Sequence, residues 1–85
     1  MITKTNSQTA EVDQELSSIQ AGQQVKLVRI HAGLALKERL AAMGLIPQGV
    51  FRVIRNDGRG QVIIEIKGTR IILGRGMSGK IRVKI

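Results

Sequence analysis

Cysteine, tryptophan and tyrosine are absent from this 85-residue chain; Phe51 is its one aromatic residue and Pro47 its one proline. The absences exclude several chemistries. Without cysteine there is no disulfide staple and no thiolate metal site, which fits a reducing compartment. A single histidine, His31, cannot assemble a Ser/His/Asp or Cys/His set at any visible motif spacing. Three of the six carboxylates, Glu11, Asp13 and Glu15, fall in or at the edge of the N-terminal tail. Glu38, Asp57 and Glu65 are expected on a helix face, in a loop and on a strand, so no acid/base pair is legible. Transition-metal ions prefer clustered imidazole and carboxylate. His31 has no second histidine and no carboxylate near it in sequence, and Met43 and Met77 sit where core side chains are expected. Gly74, Gly76 and Gly79 spell neither phosphate-binding pattern and are read as turn glycines. The expectation is a chain that is not an enzyme, holds no cofactor and carries no metal site within one chain.

Long hydrophobic runs are also missing. No stretch approaches the roughly 20 apolar residues of a membrane span, and the opening MITKTNSQTA lacks a hydrophobic signal segment, so the chain is expected to be cytoplasmic. Aliphatic residues are what the chain has in abundance. A domain of this size hides only about 60 to 65% of its unfolded surface, so its core must be dense in Ile, Leu and Val. The formal charge is +8 and unevenly spread: residues 26 to 85 carry thirteen Lys and Arg against Glu38, Asp57 and Glu65. Such a body attracts acidic proteins, nucleic acid or anionic lipid at low salt, and the field alone does not choose among them. Small single-strand binders add aromatic stacking platforms, and proline-rich peptides need an aromatic groove; Phe51 alone, expected inside, supplies neither. With one convincing helix there is no helix-turn-helix pair. Arg52, Arg55, Lys67, Arg70, Arg82 and Lys84 read most simply as solvated strand faces that also guard sheet edges.

The segment LALKERLAAMGLIPQG, residues 34 to 49, organises the rest. Leu36, Leu40 and Met43 recur at helical spacing and share one face, leaving Lys37, Glu38 and Ala41 towards water. Gly44 stands where a helix ends in a left-handed conformation, with Leu45 folding back onto Leu40 as in a Schellman stop. Pro47 prevents the helix from restarting. Gln48 follows it and glycine arrives only at Gly49, which weakens a Pro-Gly type II turn and leaves a type I turn open. Residues 1 to 13 are polar and aperiodic and are expected to be a disordered leader. Leu16 and Ile19 should plug one end of a sheet before Gly22. In residues 24 to 31, Val25 and Leu27 lie on one parity and Val28 and Ile30 on the other, the mark of a bulge or strong bend. Phe51 and Val53 should point inward, as should Val62, Ile64 and Ile66, and then Ile81, Val83 and Ile85. Residues 56 to 60 form a hairpin loop, and Lys67, Gly68 and Thr69 a second turn. The count is a mainly β fold, a small barrel of about five short strands with one short α-helix inserted after the first strand, over residues 14 to 85.

Arg39-Leu40, Met43-Gly44-Leu45-Ile46-Pro47, Val53-Ile54-Arg55, Lys67-Gly68-Thr69 and Ile81-Arg82-Val83 together resemble the pattern of the FeoA family, the small cytosolic component of bacterial ferrous iron uptake. The similarity runs from about Leu16 to Ile85 and holds in spacing as well as residue type. It implies an SH3-like barrel and a short helical turn around Met77 that closes it. It also implies a non-catalytic accessory that docks on the cytoplasmic, GTP-binding region of a membrane iron permease and is thereby recruited to the inner face of the membrane. The candidate partner-binding residues lie on the helix and its exit: Lys37, Glu38, Arg39, Leu45 and Ile46. For Arg39 a contact that fixes the helix is the competing reading, and for Leu45 and Ile46 closure of the barrel. Weak self-association is left open, whereas nucleic acid and direct membrane insertion are disfavoured. Two rival classes stand beside this one: a free-standing basic nucleic-acid-binding barrel, and an accessory domain related to those of metal-dependent transcription regulators.

Overall fold

Alternating apolar residues produce strands here, and glycine or Asn/Asp clusters end them. In the computed structural model, which describes residues 13 to 85, the strands are β1 (Gln14–Glu15), β2 (Gln24–Ile30), β3 (Val50–Asn56), β4 (Val62–Ile66), β5 (Thr69–Leu73) and β6 (Ile81–Lys84). A 3-10 turn over Leu16–Ser18 follows β1, helix α1 (Leu34–Ala42) follows β2, and a four-residue helix α2 (Arg75–Ser78) follows β5. All pairings are antiparallel in the order β1-β6-β2-β3-β4-β5. The described residues thus hold six strands, the sixth being the two-residue β1, too short to leave an alternation in the sequence. The leader expected at residues 1 to 13 lies, apart from Asp13, outside the described residues.

One face of the sheet turns inward along its whole width. Val25 and Leu27, Phe51 and Val53, Val62, Ile64 and Ile66, Ile71 and Leu73, and Ile81 and Val83 form a single buried cluster with Leu16, Ile19, Leu40 and Leu45. A sheet that buries one face around a common core must curl upon itself, so Leu16 and Ile19 do plug the interior. The break in parity after Leu27 is a bulge: β2 and β6 pair Leu27 with Val83 and then Arg29 with Arg82. A second register shift, between Val53 and Arg55 against β4, has no counterpart in the sequence pattern. Bulges bend the bulged strand, which is what a small closed sheet requires.

Side-chain hydrogen bonds fasten the ends. The Asn56 amide donates to the carbonyls of Ser17 (2.9 Å) and Ile19 (2.7 Å), tying the 3-10 segment to the β3–β4 hairpin. Ser78, fully buried, donates its hydroxyl to the Gly60 carbonyl and so locks α2 onto the same hairpin. Gly60 permits that approach: a Cβ there would lie 2.6 Å from Cγ of Arg75. The short helical turn at Met77 is present, with Met77 half-buried against the core.

The end of α1 follows the expected Schellman geometry. The Gly44 N–H donates to the Ala41 carbonyl (2.9 Å) and the Leu45 N–H to the Leu40 carbonyl (3.0 Å), with Gly44 at φ +101°. A side chain at Gly44 would meet Cγ2 of Ile66 at 2.9 Å, so position and conformation both demand glycine. Three expectations are corrected. Gln48 takes φ +73° and the Gly49 N–H bonds the Ile46 carbonyl (2.9 Å), so the turn has type II character with glutamine in the glycine position. Met43, at 43% exposure, is not a core residue, because the helix has unwound at its cap before the methionine face can turn inward. Ile85, 66% exposed, lies past the last ladder pair of β6 and does not continue the buried row.

Candidate functional site

Helix α1 covers the sheet with one edge only, through Leu40 and the half-buried Leu36, and leaves a depression on each flank. On the β2 side is a groove of about 280 Å³, lined by Leu27, Ile30, Ala41, Leu45 and Pro47 with Arg29, Lys37 and Glu38 at its rim. On the β4–β5 side is a more open depression of about 490 Å³ that includes Met43, Gly44, Ile46, Ile66, Lys67 and Thr69. The Schellman exit creates both, because it reverses the chain at Gly44 and sends Leu45 inward and Ile46 outward.

The five candidate residues are therefore divided. Lys37, Glu38 and Leu45 converge on the first groove; Leu45 is 1% exposed and forms its floor, while the two charged side chains are exposed at its rim. Ile46, 44% exposed, faces the second depression, and Arg39 is exposed on the helix and lines neither. Sequence reading missed Arg29, Ile30, Pro47 and Met43. The bulge at Val28 brings Arg29 and Ile30 to the groove, and the imperfect alternation of β2 was the available signal.

Charge is distributed in a way that distinguishes the rim cations. Arg29 and Arg82 stand directly opposite each other across β2 and β6, an unfavourable pairing for like charges. Asp13 relieves it. Its carboxylate accepts from Arg82 Nε (2.9 Å) and Nη2 (2.6 Å), and its other oxygen lies 3.7 Å from Arg29 Nη2. The hydrogen bond from Arg82 holds the Asp13 carboxyl below the usual carboxylate range, with the charges of Arg82, Arg29 and His31 adding to the effect. Among the described residues these are the ion pairs present, so Lys37 and Glu38 keep their charges free at the groove.

No group of three His, Cys, Asp or Glu among the described residues stands close enough to hold a metal ion. His31 is exposed, and its backbone N–H is used by the Lys80 carbonyl at 2.7 Å. No described helix is long and apolar enough to cross a membrane. What the first groove offers is recognition: an apolar floor with room for one or two side chains of a partner, and charges of both signs to set their orientation.

Comparison with known proteins gives concordant results. The family model described as FeoA domain matches residues 14–85. A Methanocaldococcus jannaschii relative, provisionally named Fe(2+) transport protein A, is 39% identical over 69 residues, covering 81% of this chain and 83% of that one. A crystal structure of an iron uptake regulatory protein, FeoA, superposes with a TM-score of 0.76 at 29% identity, over 86% of this chain and 97% of the other. The IdeR protein of T. acidophilum matches with a TM-score of 0.76 at 20% identity over 87% of this chain. That likeness is one of fold, and this chain spans 34% of the IdeR chain.

Proposed function

From the premise that the chain belongs to the FeoA domain family and has its mainly β, SH3-like fold, we propose that it is a non-catalytic, cytoplasmic accessory of ferrous iron uptake. It docks on the cytoplasmic GTP-binding region of a membrane iron permease and regulates it, and is brought to the inner face of the membrane by that contact. The iron is cargo of the partner in this reading. The observation that carries the docking surface is the groove between α1 and β2, whose apolar floor is walled by the helix stop and whose rim holds Lys37 and Glu38, unpaired among the described residues. Support for the process comes from the family match and from the names of the relatives, one an Fe(2+) transport protein and one an iron uptake regulatory protein.

Energetics suit an accessory role. One groove of this size provides a small anchor, and the net positive body raises the rate of encounter with an acidic domain more than it raises affinity. Calorimetric titration of the permease's soluble GTP-binding domain tests the reading. Ala41→Arg fills the groove from an exposed helix position, and Lys37→Glu reverses one rim charge. The first is expected to abolish binding and the second to weaken it about tenfold, an effect of roughly 1.4 kcal/mol. Unchanged affinity for both variants, with the fold intact by circular dichroism, removes the groove as the site. Binding of mixed single-stranded RNA in place of the permease domain removes the function itself.

A further inference from the structure

Strand β5 forms one edge of the sheet and has charged side chains but neither proline nor a bulge to guard it. It runs five residues, TRIIL, with no proline, and its pairing with β4 is continuous from Ile66/Thr69 to Val62/Leu73, without the bulges of β2/β6 and β3/β4. The turn that opens it has Lys67 at φ +50° and Gly68 at φ +82°, a type I′ hairpin turn whose closing pair, Ile66 and Thr69, is hydrogen-bonded. Alternation along an antiparallel ladder then aims the N–H and C=O groups of Ile71 at β4 and those of Arg70 and Ile72 at the free edge. Apart from the ladder, no backbone hydrogen bond among the described residues uses Arg70 or Ile72.

The side chains of the same two residues stand on the outer face. Ile72 is 64% exposed and lies opposite the half-buried Ile63. Arg70 lies opposite Glu65, which is opposite Arg52 on its other side and makes no ion pair with either. Lys67 at one end of the strand and Arg75 just beyond the other are both exposed. Glu65 thus sits between Arg52 and Arg70, and the edge strand with its flanks carries three cations, Lys67, Arg70 and Arg75, and no carboxylate. A second copy of the chain is a poor occupant: two-fold pairing centred on Ile71 brings Lys67 of one copy towards Arg75 of the other. An acidic strand meets complementary charge instead.

We propose that the β5 edge is a docking surface that takes an extended acidic segment of a partner protein as an added strand. Backbone hydrogen bonds to Arg70 and Ile72 hold the segment, an apolar side chain of it packs on Ile72, and a carboxylate of it pairs with Arg70. This surface lies apart from the β2-side groove and does not depend on the permease reading.

The probe is the capped peptide Glu-Thr-Val-Thr-Glu, whose valine and glutamates share one face of a strand as Ile72 and Arg70 do, with Lys-Thr-Val-Thr-Lys as its control, added to the full chain near physiological salt. Amide hydrogen exchange at Arg70 and Ile72 is expected to slow about tenfold or more under saturation by the glutamate peptide, as expected of amides newly bonded in a sheet, and to be unaffected by the lysine peptide. Arg70→Glu should weaken the glutamate peptide at least about tenfold. Ile72→Pro should remove binding, because it deletes an edge N–H at a position where proline is tolerated; should that variant fail to fold, Arg70→Glu decides. Three results overturn the proposal: equal binding of both peptides, shifts confined to the α1 groove, or protection of Arg70 and Ile72 that grows with protein concentration alone while the protein sediments as a dimer.

Discussion

At one edge of the sheet β1 is two residues long and is pinned by Asp13, one carboxylate oxygen of which accepts two hydrogen bonds from Arg82 while the other faces the charge of Arg29. At the other, β5 runs five regular residues, makes no ion pair among the described residues and turns Ile72 to solvent. Shortness and charge pairing close the first edge against strand addition. The second keeps only unsatisfied cations as protection, and those repel a copy of the chain while inviting an acidic strand. Within one sheet, then, edge chemistry separates a structural border from a surface able to recruit.

Four substitutions break or sharpen that contrast. Leu16→Ala, fully buried behind the β1 edge, should cost about 3 kcal/mol in urea unfolding, since it removes packing and leaves a cavity. Asp13→Asn should have a smaller effect with a distinctive pH signature. The folded Asp13 carboxyl titrates below its ordinary value of 3.8, so its stabilising contribution is present above that pH and is lost as pH falls through the folded value. The wild type should accordingly lose stability on acidification below about pH 4 more steeply than the variant, as followed by thermal melts across pH. Lys67→Asn should stabilise by about 0.5 kcal/mol, because asparagine tolerates the left-handed backbone of a type I′ turn better than lysine. Ile72→Lys should change stability by no more than about 0.5 kcal/mol, being an exposed edge position. A large loss at Ile72 would mean that the β5 edge is already covered.

Local features of this fold were legible and distant ones were not. The Leu36/Leu40 face, the glycine stop, the Asn56 to Gly60 loop and the inward parity of Phe51, Val53, Val62, Ile64 and Ile66 all arise from near neighbours in sequence, and the structure has them. The resemblance supplied the α2 turn. Met43 and Ile85 were misread because periodicity continues past the point where an element ends, and the burial of a terminal residue depends on what lies across from it. Gln48 in a left-handed conformation is set by the Ile46–Gly49 hydrogen bond and by the partners Leu27 finds in Gln48 and Gly49. No residue-by-residue preference announces that. Asp13–Arg82, Asn56–Ser17 and Ser78–Gly60 span 69, 39 and 18 residues and are pairings of composition that only the folded chain selects. The candidate site shows the same division: Lys37, Glu38 and Leu45 came from the helix pattern, whereas Arg29 and Ile30 reach the groove through a bulge.

The most direct test of the account is amide chemical-shift mapping of the labelled chain against the permease's soluble GTP-binding domain. Shifts at Arg29, Ile30, Lys37, Ala41 and Leu45, with the outer faces of β1 and β6 unmoved, are the predicted result. Shifts restricted to the cationic strand faces, or no shift at saturating domain, would contradict it.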